Sequence, residues 1–237
     1  MSFLKNYFDE LTNTFNIHHI NLLQNVTKED IHKLRTTLKR LKTFNILLDN
    51  LLDLKKSFPV GLKSLFKTCG NIRDIQIQQG LLENYEDEYK IYLQDQYEKK
   101  LNDFKIDDDF TTELNIIGIK VNAVIDYNTE EEIISKVKSY IESNYNYIRI
   151  LVQNADYYNL HEIRIDVKKL YYTLLMMKEI DNVDNIDNIQ ETIGLWHDYD
   201  VLIESVRKYD NNLMLVESLR QKRDSLYNES LNLIKDI

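Results

Sequence analysis

One proline and five glycines are all that interrupt 237 residues. That scarcity limits the fold more than any other feature. A sheet-rich chain needs many tight turns, and turns draw on Gly and Pro, whereas long helices are what a chain poor in both can build. Apolar spacing agrees. Phe3, Leu4, Tyr7, Phe8, Leu11 and Phe15 recur at three- and four-residue steps, as one face of an amphipathic helix requires. Thr27, with Asp30 three residues on, reads as a helix N-cap. Ile31, Leu34, Leu38, Leu41, Asn45 and Leu48 then line one face of a long helix that ends near "KKSFPVG". Further helices are expected over about 60–69, stopped at Gly70, then from "NIRDIQIQQGLL", and over 83–104. Residues 105–129, with an acidic run and β-branched residues, read as a connection holding a short strand or a turn of helix. From Glu130 a helix is expected to run on into the segment that begins at Leu160.

Two stretches of this all-helical chain resemble each other. "IHKLRTTLKRLK" (31–42) gathers one histidine and five Lys or Arg, although the formal net charge is −9. "LHEIRIDVKKLYY" (160–172) repeats the order, so that His32, Arg35, Lys39 and Arg40 correspond to His161, Arg164, Lys168 and Lys169. Later, "CGNIRDIQI" (69–77) corresponds to "IGLWHDYDV" (193–201), aligning Gly70 with Gly194 and Asp74 with Asp198. Two motifs in one order, twice, indicate an internal duplication. The expected boundaries are a first repeat over about 1–105, a connection over about 106–129 and a second repeat over about 130–237.

At 100° per residue His32, Arg35, Lys39 and Lys42 occupy a sector of about 80°, beside the apolar seam of Leu34, Leu38 and Leu41. His161, Arg164 and Lys168 form the same row beside Ile163, Val167 and Leu170. Like charges at helical spacing repel, so a doubled cationic row points to an anion as the partner. Arg forks two phosphate oxygens and Lys acts as an adaptable point charge, which suits a repeating polyanion.

These four motifs together resemble the CHAD family, the conserved histidine α-helical domain, over essentially the whole chain. The resemblance implies a single all-α domain of two pseudo-symmetric four-helix bundles around a basic central pore that binds inorganic polyphosphate. Carried over by position, His32, Arg35, Lys39, Arg40, Lys42 and Arg73 match the first repeat, and His161, Arg164, Lys168 and Lys169 the second. The chain departs from the pattern where Tyr171 stands in place of a basic residue and where His197 stands opposite Arg73. Lys63 and Lys67 fall opposite Asp187 and Glu191, so that helix is basic in the first repeat alone.

Composition sets the remaining expectations. A hydrophobic share of 43% and mean hydropathy of −0.45 describe an ordinary globular protein. No apolar run reaches the roughly 18 residues of a membrane span, and "MSFLKNYFDEL" lacks a signal-peptide layout. Cys69 is the one cysteine, so no intrachain disulfide forms and a cytoplasmic setting is expected, with polyphosphate granules the implied association. A pI near 5.1 argues against wholesale nucleic-acid binding. No cofactor, metal site or catalytic residue is expected. "EDEYK" (86–90) matches the E-x-E-x-K pattern of triphosphate tunnel enzymes, but its tyrosines keep helical spacing, and it reads as a solvated helix face. Adjacent His18 and His19 diverge on a helix and cannot jointly hold a metal. The rival function is a metal-dependent helical-bundle phosphohydrolase using Asp74 and Asp198.

Overall fold

The computed structural model describes residues 2–107, 109–178, 180–209 and 212–237. Among them all regular structure is helical: α1 (Phe3–Gln24), α2 (Lys28–Leu51), α3 (Val60–Leu81), α4 (Glu88–Asn102), α5 (Thr111–Tyr127), α6 (Glu130–Val152), α7 (Leu160–Met177), α8 (Ile180–Tyr209) and α9 (Leu213–Leu233), with a closing 3₁₀ turn, Ile234–Asp236. No described helix is long and apolar enough to cross a membrane. The chain divides into two compact units. The first takes residues up to Ile75 together with Gln96–Tyr140, and the second takes Gln76–Asp95 and Ile141–Ile237. Each unit holds one histidine-helix motif and one glycine–aspartate motif.

In the first unit α1 and α2 form a hairpin. Leu4, Leu11 and Phe15 of α1 and Ile31, Leu34, Leu38 and Leu41 of α2 are fully buried, and Phe44 is packed by the rings of Tyr7 and Phe8. Thr27 caps α2 as its spacing predicts, its hydroxyl accepting the Asp30 N–H at 3.0 Å. Helix α5 covers the hairpin with Ile117, Val121 and Val124. This corrects the reading of 105–129 as a connection. The β-branched residues of this segment fall at helical spacing on one face, and burial of that face outweighs their weak helix propensity.

Two buried polar groups tie α2 to α5. Asp49 is wholly buried and receives Lys120 Nζ at 2.5 Å. Lys120 also donates to Asn45 at 2.9 Å, and the Ser57 N–H donates to the second Asp49 oxygen at 2.9 Å. Asn45, which the apolar periodicity placed on the core face, sits there as part of this network.

In the second unit α7, α8 and α9 pack in succession around Ile163, Val167, Leu170, Ile189, Ile193, Trp196, Leu202 and Leu219. The expected run of helix from α6 into the second histidine segment is broken at 153–159. Asp156 accepts the N–H groups of Tyr158 and Asn159 at 2.9 Å each, while Asn159 accepts the Asp156 N–H and donates to the Asn154 carbonyl. Such side-chain bonds offer the backbone an alternative to the helix ladder. Likewise the stretch read as helix from residue 83 begins only at Glu88, after a turn.

Candidate functional site

Helix α3 shows why the expected stop at Gly70 does not occur. The helix runs unbroken from Val60 to Leu81, and Gly70 serves a neighbour rather than a turn. A Cβ at Gly70 would lie 2.5 Å from Nη1 of Arg35. The guanidinium rests on the bare backbone there, donates to the Phe66 carbonyl at 2.9 Å and stacks over the Phe66 ring at 4.5 Å. Its other nitrogen lies 3.9 Å from the exposed carboxylate of Asp74. The two sequence motifs of the first unit are thereby one structure: the arginine of the histidine helix sits in the notch left by the glycine.

Other cations gather around it. Lys42 lies over the same Phe66 ring at 5.6 Å. His32 is held below its ordinary value by burial and then by the charges of Arg73 and Lys39, with Glu29 acting against them. Arg73 and Lys39 are therefore close enough to His32 for their fields to disfavour its protonation. Helical periodicity puts Lys63 and Lys67 on the same stripe of α3 as Gly70 and Asp74, and both lysines are exposed. The result is a cationic surface built from α2 and α3.

The second unit repeats the plan with different side chains. A Cβ at Gly194 would stand 4.0 Å from Nε of Arg164, so the arginine again passes the glycine, but less closely. His161 on α7 and His197 on α8 face each other with ring centroids 4.6 Å apart. Burial, then Arg164 and His161, push His197 down to about 4, with Lys168 acting in the same direction and Asp200 opposing. Burial and Arg164 also lower His161. Asp200 itself accepts the Tyr157 hydroxyl and a guanidinium nitrogen of Arg223 at 3.3 Å.

Two of the ten residues carried over from the family pattern are engaged elsewhere. Arg40 donates to the Tyr7 hydroxyl at 3.2 Å and to Glu10 at 3.1 Å, which turns it toward α1. Lys169 pairs with Asp166 at 2.6 Å. Both follow the row residue by one position, so they lie about 100° around the helix from it. His32, Arg35, Lys39, Lys42 and Arg73 are brought together in the first unit, and His161, Arg164 and Lys168 in the second. Phe66 and His197 belong to these clusters and were not among the expected site residues. His197 had a signal, its alignment with Arg73; Phe66 had none, since a lone aromatic on an amphipathic helix reads as core.

The competing motifs fall elsewhere. "EDEYK" straddles the start of α4, where Asp87 accepts the Tyr89 N–H at 2.8 Å and the side-chain amide of Asn212 at 2.7 Å. His18 contacts Asp30 at 2.9 Å and His19 the Asp107 carbonyl at 2.7 Å, on different sides of α1. Among the described residues no group of three or more His, Cys, Asp or Glu is disposed to hold a metal ion. Cys69 is buried, and burial pushes its thiol up to about 12, which leaves it inert at neutral pH.

No family model matches the sequence, and no curated protein matches it. The structure does find a counterpart. The crystal structure of the CHAD domain from the plant Ricinus communis superposes with a TM-score of 0.73 over 100% of this chain and 91% of that one, at 13% sequence identity. Over its whole length, this chain has the fold of a CHAD domain.

Proposed function

We propose that this protein binds inorganic polyphosphate without turning it over, through the cationic rows of its two histidine helices. The observation that carries the reading is the set of charges converging on His32 and Phe66: Arg35 and Lys42 over one ring, with Arg73 and Lys39 acting on the imidazole. Gathering like charges opposes folding unless an anion joins them. Within the first unit, Arg35 offers its guanidinium edge, while Lys39, Lys42, Lys63 and Lys67 supply adaptable charge to successive phosphates. The second unit contributes Arg164, Lys168 and His161. The paired bundles and basic pore implied by the family resemblance belong to this proposal, in which one long polyanion engages both rows. Inorganic polyphosphate is the partner proposed, rather than nucleic acid, because the aromatic ring among these cations, Phe66, already carries Arg35 and Lys42 over it instead of offering a face to a base.

Titration with polyphosphate of several chain lengths tests it. Affinity should rise with length, fall steeply with salt as counterions are released, and exceed that for single-stranded RNA of equal charge. Orthophosphate binding as tightly as a long chain would defeat the reading. So would phosphate release in the presence of magnesium or manganese that is lost in Asp74→Asn and Asp198→Asn, an outcome that would favour the hydrolase.

A further inference from the structure

At the place where the first unit has Arg73, the second has His197, and what the structure does with that exchange goes beyond a lost charge. His197 faces His161 across the α7–α8 interface at 4.6 Å between ring centroids, with the Trp196 ring 6.2 Å from its own. From α7 the groups acting on it are His161, Arg164 and Lys168, all cationic or able to become so. From its own helix Asp200 acts on it, but that carboxylate already accepts from Tyr157, in the 153–159 segment, and from Arg223 of α9. The groups from α7 that act on His197 are thus all of one sign, and the pair lies alongside the row assigned to the anion.

We propose that His197 is an anion contact of the second unit, joining the His161–Arg164–Lys168 row by taking up a proton together with the bound polyphosphate. This rests on polyphosphate binding as proposed above. Without ligand, burial and Arg164 disfavour the charged form of both imidazoles. A phosphate lying against the row adds negative charge beside the pair and favours the charged ring. Because the rings are in contact, the pair takes one proton rather than two, since a second would restore the repulsion. Each neutral ring keeps one N–H for a phosphate oxygen, and the proton adds a second donor. The first unit, with a guanidinium in the same position, needs no such uptake there.

Calorimetric titration of the full chain with long-chain polyphosphate decides the matter, run from pH 8 to pH 5 in buffers of differing ionisation heat. Comparison is with His197→Arg and His197→Gln. The wild type should gain roughly tenfold in affinity as pH falls, with net proton uptake near pH 6. His197→Arg should bind more tightly than wild type at pH 8 and show a flatter profile, because its charge no longer depends on pH. His197→Gln, which cannot take up a proton, should fall further behind wild type at pH 5 than at pH 8. The protonation of polyphosphate itself, and of His32, is common to all three proteins and cancels in the differences. Circular dichroism melts confirm that each variant is folded. Wild type that binds with the same pH profile as both variants overturns the role of His197 while leaving polyphosphate binding intact. Absence of wild-type binding at every pH overturns the functional reading itself.

Discussion

The two histidine helices share a ground plan and differ in what stands against them. In the first unit the row of Arg35, Lys39 and Lys42 meets a helix carrying Lys63, Lys67 and Arg73. In the second, Arg164 and Lys168 meet a helix that carries Asp187, Glu191 and His197 at the aligned positions, and Tyr171 stands where Lys42 has its counterpart. The notch differs too: Arg35 presses against Gly70, while Arg164 passes Gly194 at ordinary van der Waals distance. A glycine and an arginine thus recur in both units, while the close fit between them and the charge around them do not. The first unit is left as the more cationic of the two at these aligned positions.

The largest expected effect follows from that asymmetry. Removing Lys39, Lys42 and Lys63 together by Gln substitution should weaken polyphosphate binding by a hundredfold or more. Lys168→Gln in the second unit should cost about tenfold, taking roughly 1.5 kcal/mol for each charge-assisted contact. Arg40→Gln, whose guanidinium is held by Tyr7 and Glu10, serves as the control and should leave affinity unchanged. Equal losses from the two units would remove the asymmetry.

Next in size is the contrast between the two glycines. Gly70→Ala forces the Arg35 guanidinium off its seat and breaks the bond to the Phe66 carbonyl, which outweighs the helix-propensity gain. A net loss of about 1 kcal/mol is expected, with weakened binding. Gly194→Ala meets nothing closer than 4.0 Å and should stabilise by about 0.5–1 kcal/mol. Chemical denaturation of both variants checks the sign of each. Stabilisation by Gly70→Ala would show that the close approach carries no weight.

The smallest effect separates the units by pH. Burial, with Arg164 and His161, sets His197 at about 4, below the ordinary histidine value of 6.5. Its contribution to stability is therefore complete above pH 6.5 and is lost as pH falls from 6.5 toward 4, where the unfolded chain binds a proton that the folded chain refuses. In the first unit hydrogen bonds from Thr27, Asn21 and His18 lower Asp30 from 3.8 to about 2. That contribution is present above pH 4 and is lost between pH 4 and pH 2. Melts of the ligand-free protein at pH 7, 5 and 3 should fall in both intervals. His197→Gln should flatten the upper interval in part, since His32 and His161 are lowered too, and Asp30→Asn should flatten the lower one. A lower interval that persists in Asp30→Asn would move the acid sensitivity elsewhere.

The sequence by itself determined that the chain is helical, because a helix follows from local spacing and from the near absence of Pro and Gly. It determined equally that a cationic row flanks the seam of each histidine helix, since position around a helix is arithmetic. Thr27 as the cap of α2 came from the same local rules. Tertiary structure decided what those rules could not. Gly70 looked like a breaker because glycine's conformational freedom is a local property, while its use here, as the gap that admits Arg35, depends on a residue 35 positions earlier in the chain. Residues 111–127 became helix because α1 and α2 present an apolar surface for them to cover. Arg40 turned toward α1 because Tyr7 and Glu10 claim it. The pairing of His197 with His161 needed α7 and α8 to pack side by side. In each case the deciding term is a contact between segments distant in sequence, or the burial such contacts create, and neither periodicity nor propensity carries that information.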